Sequence, residues 1–191
     1  LISSPPFVHL KANFRKGVLY LNTNLTGDYN FENVLAASCI GNHLEVDPIA
    51  IQKALKNYYP QNNRSQLINK NGLKIIMDAY NANPTSMQAS IKSFLSNISE
   101  SSYLFLGDML ELGEYSHDEH TAILELLGNY PLANVFTVGK NFYDIATNYN
   151  CLSFLTVEDL CEFLQQKPIH KGSILIKGSR GIQLEKVLTC F

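Results

Sequence analysis

From residue 66 onward, short apolar runs alternate with amphipathic segments, and this alternation sets the fold class. Leu67-Ile68 and the apolar run 73–77 flank Asn69-Lys70-Asn71-Gly72, which predicts a hairpin. Met87, Ile91, Phe94 and Leu95 recur at i, i+4, i+7 and i+8, which predicts a helix with one buried face. The runs at 103–106, 135–138 and 174–176 predict buried strands. Helical patterns carry Ile123, Leu126 and Leu127, recur near Tyr143 and over 157–164, and close the chain at 184–188. Strands and helices in this order make βαβ units, hence an α/β domain with a mostly parallel sheet covered on both faces.

The first 60 residues follow another pattern. Residues 1–10 read as a ragged end, 18–21 as a short β-like run, and 22–27 as a turn. A helix is predicted from near Asn30 through residues 34–37 to Ile40. Asp47 caps a second helix with Pro48 at its first position, and Ile51 and Leu55 lie one turn apart on it. The polar stretch 60–65 reads as a linker. No internal repeat or low-complexity tract is present.

Composition narrows the class. Of the 191 residues 46% are hydrophobic and 17% charged, enough to bury a core and too apolar for disorder. Apolar runs such as 104–106 and 174–176 are too short to cross a bilayer, and residues 1–6 lack the cationic start and apolar stretch of a secretory leader. Net charge is -2 without a basic cluster, so neither a nucleic-acid nor a membrane partner is expected. Cys39, Cys151, Cys161 and Cys190 are scattered, with no C-x-x-C pair. That predicts neither a disulfide framework nor a zinc site, and points to a reducing, cytoplasmic compartment. The sequons at Asn24, Asn63 and Asn97 are then idle.

In an open parallel sheet, ligands bind beyond the carboxyl ends of the strands. Four such ends open into Asp78-Ala79-Tyr80-Asn81-Ala82-Asn83-Pro84, Gly107-Asp108-Met109, Gly139-Lys140-Asn141 and Lys177-Gly178-Ser179-Arg180-Gly181. Loops after strands are polar in any α/β domain, so it is their convergence on one edge that predicts a site. Gly178-Ser179-Arg180-Gly181 can cradle an anion on backbone N–H groups, with Arg180 as a fork, or can be a plain strand-to-helix turn. Gly139-Lys140 lacks the upstream glycine and following Ser/Thr of a phosphate-binding loop. His117 and His120, beside Asp118 and Glu119, fit a capped first helical turn better than a metal site, and no metal ligand is assigned. Asn30 and Asn33 lie one turn apart at a helix start, where capping is the plain reading.

Five ordered motifs carry a resemblance. They are Tyr29-Asn30-Phe31-Glu32-Asn33-Val34-Leu35-Ala36-Ala37, Asn63-Arg64-Ser65-Gln66, the 78–84 loop, Leu106-Gly107-Asp108-Met109-Leu110-Glu111-Leu112-Gly113 and Lys177-Gly178-Ser179-Arg180-Gly181. Together they resemble the C-terminal half of the Mur ligases, over nearly everything from Val18 onward. The Tyr80-Asn81-Ala82-Asn83-Pro84 loop and the string 108–113 resemble most the member that adds D-alanyl-D-alanine to UDP-N-acetylmuramoyl-tripeptide.

The resemblance implies a Rossmann-like C-terminal domain at 59–191, preceded at 1–58 by a remnant of the central ATPase domain. It implies ATP-driven amide formation through an acyl phosphate, with ATP and Mg2+ held mainly by elements absent from this chain, which alone should be inactive. By motif position, Asn30, with Asn33, would meet the adenine, Arg64 the ATP phosphates as the catalytic residue, and Asp78 the ribose. Tyr80, Asn81, Asn83, Ser179 and Arg180 would frame the dipeptide, Arg180 through its carboxylate. Competing readings are a sister ligase adding one amino acid, or glutamate to folate; a dinucleotide-binding oxidoreductase domain, disfavoured by the missing G-x-G-x-x-G; and a non-catalytic module, which leaves the strand-end polar clusters unexplained.

Overall fold

The computed structural model describes residues 1–2, 7–15, 17–96, 101–130 and 133–191. The sequon at Asn97 and residues 3–6 of the expected ragged end lie outside them. The chain divides into two units, Leu1–Pro60 and Gln61–Phe191, each with its own core.

In the first unit, strands β1 (His9–Phe14) and β2 (Gly17–Asn22) pair antiparallel, followed by helices α1 (Asn30–His43) and α2 (Pro48–Asn57). β1 corrects the expectation of a ragged end over residues 1–10. Leu10, Ala12 and Phe14 turn inward while Lys11 and Asn13 face solvent, an alternation too brief to stand out by eye. Val8, Leu10, Leu21 and Val34 form the core, with Phe31 and Leu55 against it. Asp47 caps α2 as expected, its Oδ1 accepting from the Ile49 N–H at 2.9 Å. Helix α1 leaves Leu35 and Ile40 exposed, as is Leu44 just beyond it, although Val34 and Ser38 are buried.

The second unit is a six-stranded sheet wrapped by helices on both faces. In chain order it runs β3 (Gln66–Lys70), β4 (Leu73–Asp78), α3 (Pro84–Ser96), β5 (Ser102–Gly107), α4 (Ser116–Leu127), β6 (Asn134–Val138), α5 (Lys140–Ile145), β7 (Leu152–Phe154), α6 (Val157–Gln166) and β8 (Gly172–Lys177). The spatial order is β3-β4-β8-β5-β6-β7. β3 joins β4 as an antiparallel hairpin and every other pairing is parallel, which makes the unit Rossmann-like.

Strand alternation feeds two cores. Leu104, Leu106 and Leu175 gather with Met87, Ile91, Ile123 and Phe142 from α3, α4 and α5. Phe105, Ile174 and Ile176 gather on the other face with Leu160 and Leu164 of α6 and with Leu184 and Val187. Each such side chain, fully buried, contributes about 1.5–3 kcal/mol.

Three details depart from the sequence pattern. β7 has only three residues and a central serine, too little apolar signal to register. The closing segment Leu184–Cys190 is 3-10 rather than α-helical. Cys161 and Cys190 are joined by a disulfide, against the expectation of none. They are 29 residues apart, and only the packing of the last turn on α6 brings their Cα atoms to 5.9 Å. Cys39 and Cys151 are free, and burial pushes the Cys151 thiol up.

Candidate functional site

Because β4, β8, β5 and β6 run parallel, their carboxyl ends and the loops that follow share one edge of the sheet. β5 and β8 come unusually close there. A Cβ on Gly178 would lie 2.8 Å from the Gly107 Cα, so glycine stands at the end of β5 and just past the end of β8.

On the β4 side the edge is cationic and open. The Arg64 guanidinium lies 3.8 Å from the centre of the Tyr80 ring, and that of Arg180 lies 5.5 Å from it. All three side chains are exposed. Hydrogen bonding and charge from Arg64, then the charge of Arg180, hold the Tyr80 phenol below its ordinary range. The stack joins the segment before β3, the loop after β4 and the turn after β8, residues more than a hundred positions apart at the extremes.

Beneath it lies a buried polar cluster. Asp78 and Lys177 are register partners at the ends of β4 and β8, and the Lys177 Nζ donates to Asp78 Oδ2 at 2.6 Å. The same oxygen accepts from Ser90 Oγ at 3.2 Å, and Oδ1 accepts from the Ser65 N–H at 3.0 Å. Asp78 therefore presents only an edge of its carboxylate, with a side-chain exposure of 14%.

Other predicted contacts take different places. Asn83 caps α3: its Oδ1 accepts from the Ser86 N–H at 2.8 Å, and Ser86 Oγ accepts from the Asn83 N–H at 3.1 Å. Ser179 is buried, its Oγ accepting from the Leu110 N–H at 2.9 Å and its N–H donating to Asp108 O at 3.1 Å. Both hold loops, Asn83 from an exposed position and Ser179 from a buried one. Asn81 is exposed, its Oδ1 accepting from the Ala82 N–H. In the first unit Asn30 is buried at the start of α1, donating from Nδ2 to Thr26 O at 2.7 Å and accepting from Asn33 Nδ2 at 2.9 Å. The two asparagines brace each other and the preceding turn, so the plain capping reading does not describe them.

On the β5 and β6 side the edge is closed. Asp108 is 2% exposed and accepts from the N–H groups of Asn141 and Phe142 and from Asn141 Nδ2, all at 2.8–2.9 Å. Gly139, at φ 119°, must lack a Cβ, which would collide with the Asp108 carboxylate. His120 is fully buried and accepts the Met109 N–H on Nε2 at 3.0 Å, while Nδ1 faces Ser116 O at 2.6 Å. That pattern defines the neutral Nδ1–H tautomer. His117 instead stands exposed beside Asp118. Lys140 pairs with Asp144 at 2.8 Å, a contact that raises its pKa and draws its charge along the helix.

The motifs at 63–66 and 177–181 include Ser65 and Lys177 without assigning either a role, and Ser90 falls in no motif. Besides its place in that motif, the signal for Lys177 is a lysine ending the apolar run 174–176 of a buried strand.

Known proteins similar to this chain share one family. The family model described as Mur ligase, glutamate ligase domain, matches residues 63–180. A UDP-N-acetylmuramoyl-tripeptide--D-alanyl-D-alanine ligase of Buchnera aphidicola subsp. Baizongia pistaciae is 33% identical over 93% of this chain and 39% of its own length. The ligase of the same name from Bacillus subtilis is 32% identical, over 86% of this chain and 38% of its own. A crystal structure of MurF from Acinetobacter baumannii superposes with a TM-score of 0.84 at 27% identity, covering 97% of this chain and 42% of that one. The chain thus spans about two fifths of the length of these relatives. With its parallel sheet, its strand-end motifs and the matched region in agreement, the chain belongs to the Mur ligase family.

Proposed function

We propose that this chain is the C-terminal part of an ATP-dependent amide ligase that adds D-alanyl-D-alanine to UDP-N-acetylmuramoyl-tripeptide in the cytoplasm, during peptidoglycan precursor synthesis. The observation that carries the reading is the pair of guanidiniums, Arg64 and Arg180, gathered on Tyr80 at the edge where an open parallel sheet binds its ligands. The reactants of such a ligase are anions: phosphates, an acyl phosphate and a peptide carboxylate. Planar, permanently charged guanidiniums bind these groups through paired hydrogen bonds.

When bound, ATP supplies the phosphoryl group that gives the tripeptide carboxylate a leaving group for attack by an amine. Arg64 is assigned to the phosphates and Arg180 to the terminal carboxylate of the dipeptide, with the Tyr80 ring holding both cations in place. Asn81 offers its amide to the dipeptide backbone. Asn83 and Ser179 fix the loops that carry Tyr80 and Arg180. By motif position Asn30, braced by Asn33, is assigned to the adenine. Asp78 is assigned to the ribose through its exposed edge, where a hydroxyl would take the place of one serine donor. The ligands of Mg2+ are assigned to other parts of the ligase.

The first unit is assigned to the tail of the central ATPase domain. Its exposed Leu35, Ile40 and Leu44 are the kind of surface that a larger domain covers. No described helix is long and apolar enough to cross a membrane. The test is phosphate release by the full-length protein with ATP and UDP-N-acetylmuramoyl-tripeptide. D-alanyl-D-alanine should drive turnover, and this chain alone should show none. Turnover with a single amino acid in place of the dipeptide would assign the chain to a sister ligase.

A further inference from the structure

We propose that Lys177 is a positioning residue: acting through Asp78, it latches the turn at 62–65 and so sets where Arg64 presents its guanidinium. The catalytic consequence rests on the ligase reading above; the latch itself does not.

The turn is poorly suited to hold its own shape. Asn62, Asn63 and Ser65 all have positive φ, at 57°, 59° and 49°, a region that L-residues other than glycine enter reluctantly. Asparagine tolerates it and serine less so, so outside contacts must fix it. Two do, one on each side of Arg64. The Ser65 N–H donates to Asp78 Oδ1 at 3.0 Å, and the Tyr80 N–H donates to Asn63 O at 3.2 Å. Arg64 then reaches the Tyr80 ring at 3.8 Å.

Lys177 supplies what Asp78 needs to act as the anchor. A buried carboxylate accepts strongly through both oxygens when a counter-charge lies beside it. The Lys177 ammonium, 2% exposed as a residue and 2.6 Å from Oδ2, balances the charge. One carboxylate thus joins β8 through Lys177, α3 through Ser90 and the Arg64 turn through Ser65. Another apolar residue in place of Lys177 would continue the run 174–176, but it would leave Asp78 without its counter-charge.

The test uses this chain and reads amide hydrogen exchange and Arg64 Nε by NMR. Asp78→Leu/Lys177→Met removes both buried charges and the shared acceptor together, which spares the fold an unpaired charge. In that variant Ser65 and Tyr80 amides should lose protection by about tenfold or more while Leu104 and Leu106 of β5 keep theirs. The Arg64 Nε resonance should lose the displacement caused by the Tyr80 ring. Unchanged Ser65 and Tyr80 protection in a folded double variant would overturn the latch.

The unaltered chain gives a second reading that needs no variant. A protected Lys177 Nζ resonance with through-space contact to Asp78 supports the proposal, and a freely exchanging ammonium overturns it. In the full-length ligase, Lys177→Met and Arg64→Ala should be non-additive in kcat, and Lys177→Arg should recover part of the loss. An inactive full-length protein with an intact exchange pattern would reject the ligase reading and keep the latch. A kcat that falls in Arg64→Ala and stays unchanged in Lys177→Met would do the reverse.

Discussion

The strand-end edge of the second unit has two halves that look alike in sequence and differ in structure. Each places an aspartate at or just past the end of a parallel strand: Asp78 on β4 and Asp108 after β5. Asp108 is walled in, accepting the first amides of α5 and lying 3.7 Å from a buried His120. Asp78 sits below two exposed arginines and a tyrosine, and is tied to a strained turn. Polar residues gathered at strand ends therefore do not by themselves make a site. What separates the halves is whether charged groups satisfy one another internally, as at Asp108, or leave cations facing outward, as at Arg64 and Arg180.

The largest expected effect lies in the closed half. Asp108→Ala strands three donors and an adjacent imidazole in a dry setting, and should cost about 3–5 kcal/mol in chemical denaturation. Gly139→Ala comes next. The new methyl meets the Asp108 carboxylate and φ 119° resists any side chain, so about 1–3 kcal/mol should be lost. A change below about 0.5 kcal/mol in either variant would erase the structural contrast between the halves.

The open half should respond far less. Arg64→Ala and Arg180→Ala remove exposed cations from a ring face, and each should shift stability by no more than about 1 kcal/mol. Arg64 should have the larger effect, being the closer.

The smallest expected effect is a titration. Of the ten tyrosines, Tyr80 should ionise below the usual value of about 10, and Arg64→Ala should return it upward. The sign follows from a lowered pKa in the folded chain. Its stabilising contribution is complete above the unfolded value and is lost as pH falls through the folded value. Phenolate absorbance of the chain and of Tyr80→Phe isolates this one group.

What could be read from the sequence was whatever neighbours determine. The Asp47-Pro48 helix start, the hairpin turn before β4 and the apolar stripe of α3 depend on residues within a few positions of each other. The Asn83 cap is equally local, since Asn-Pro with serine three residues on is a helix start, a signal separate from the dipeptide role that the motif resemblance implies. The Lys177–Asp78 pair spans 99 positions, and Cys161 and Cys190 meet only once the final turn has packed. Such partners are set by tertiary register, which no local pattern encodes. Arg64, Tyr80 and Arg180 were each singled out separately by motif, but their stacking on one ring is information that only the folded chain holds.

The central claim is that the Arg64–Tyr80–Arg180 face is the working face of a ligase domain. The most direct measurement takes Arg64→Ala in the full-length ligase and reads steady-state turnover and thermal melting on the same preparation. The account predicts a fall in kcat/KM of about 100-fold or more, as for loss of a group that stabilises developing charge, with Tm moved by no more than about 2–4 °C. Turnover equal to the unaltered enzyme, with melting equally unchanged, would contradict it and leave Arg64 a solvated arginine in a surface turn.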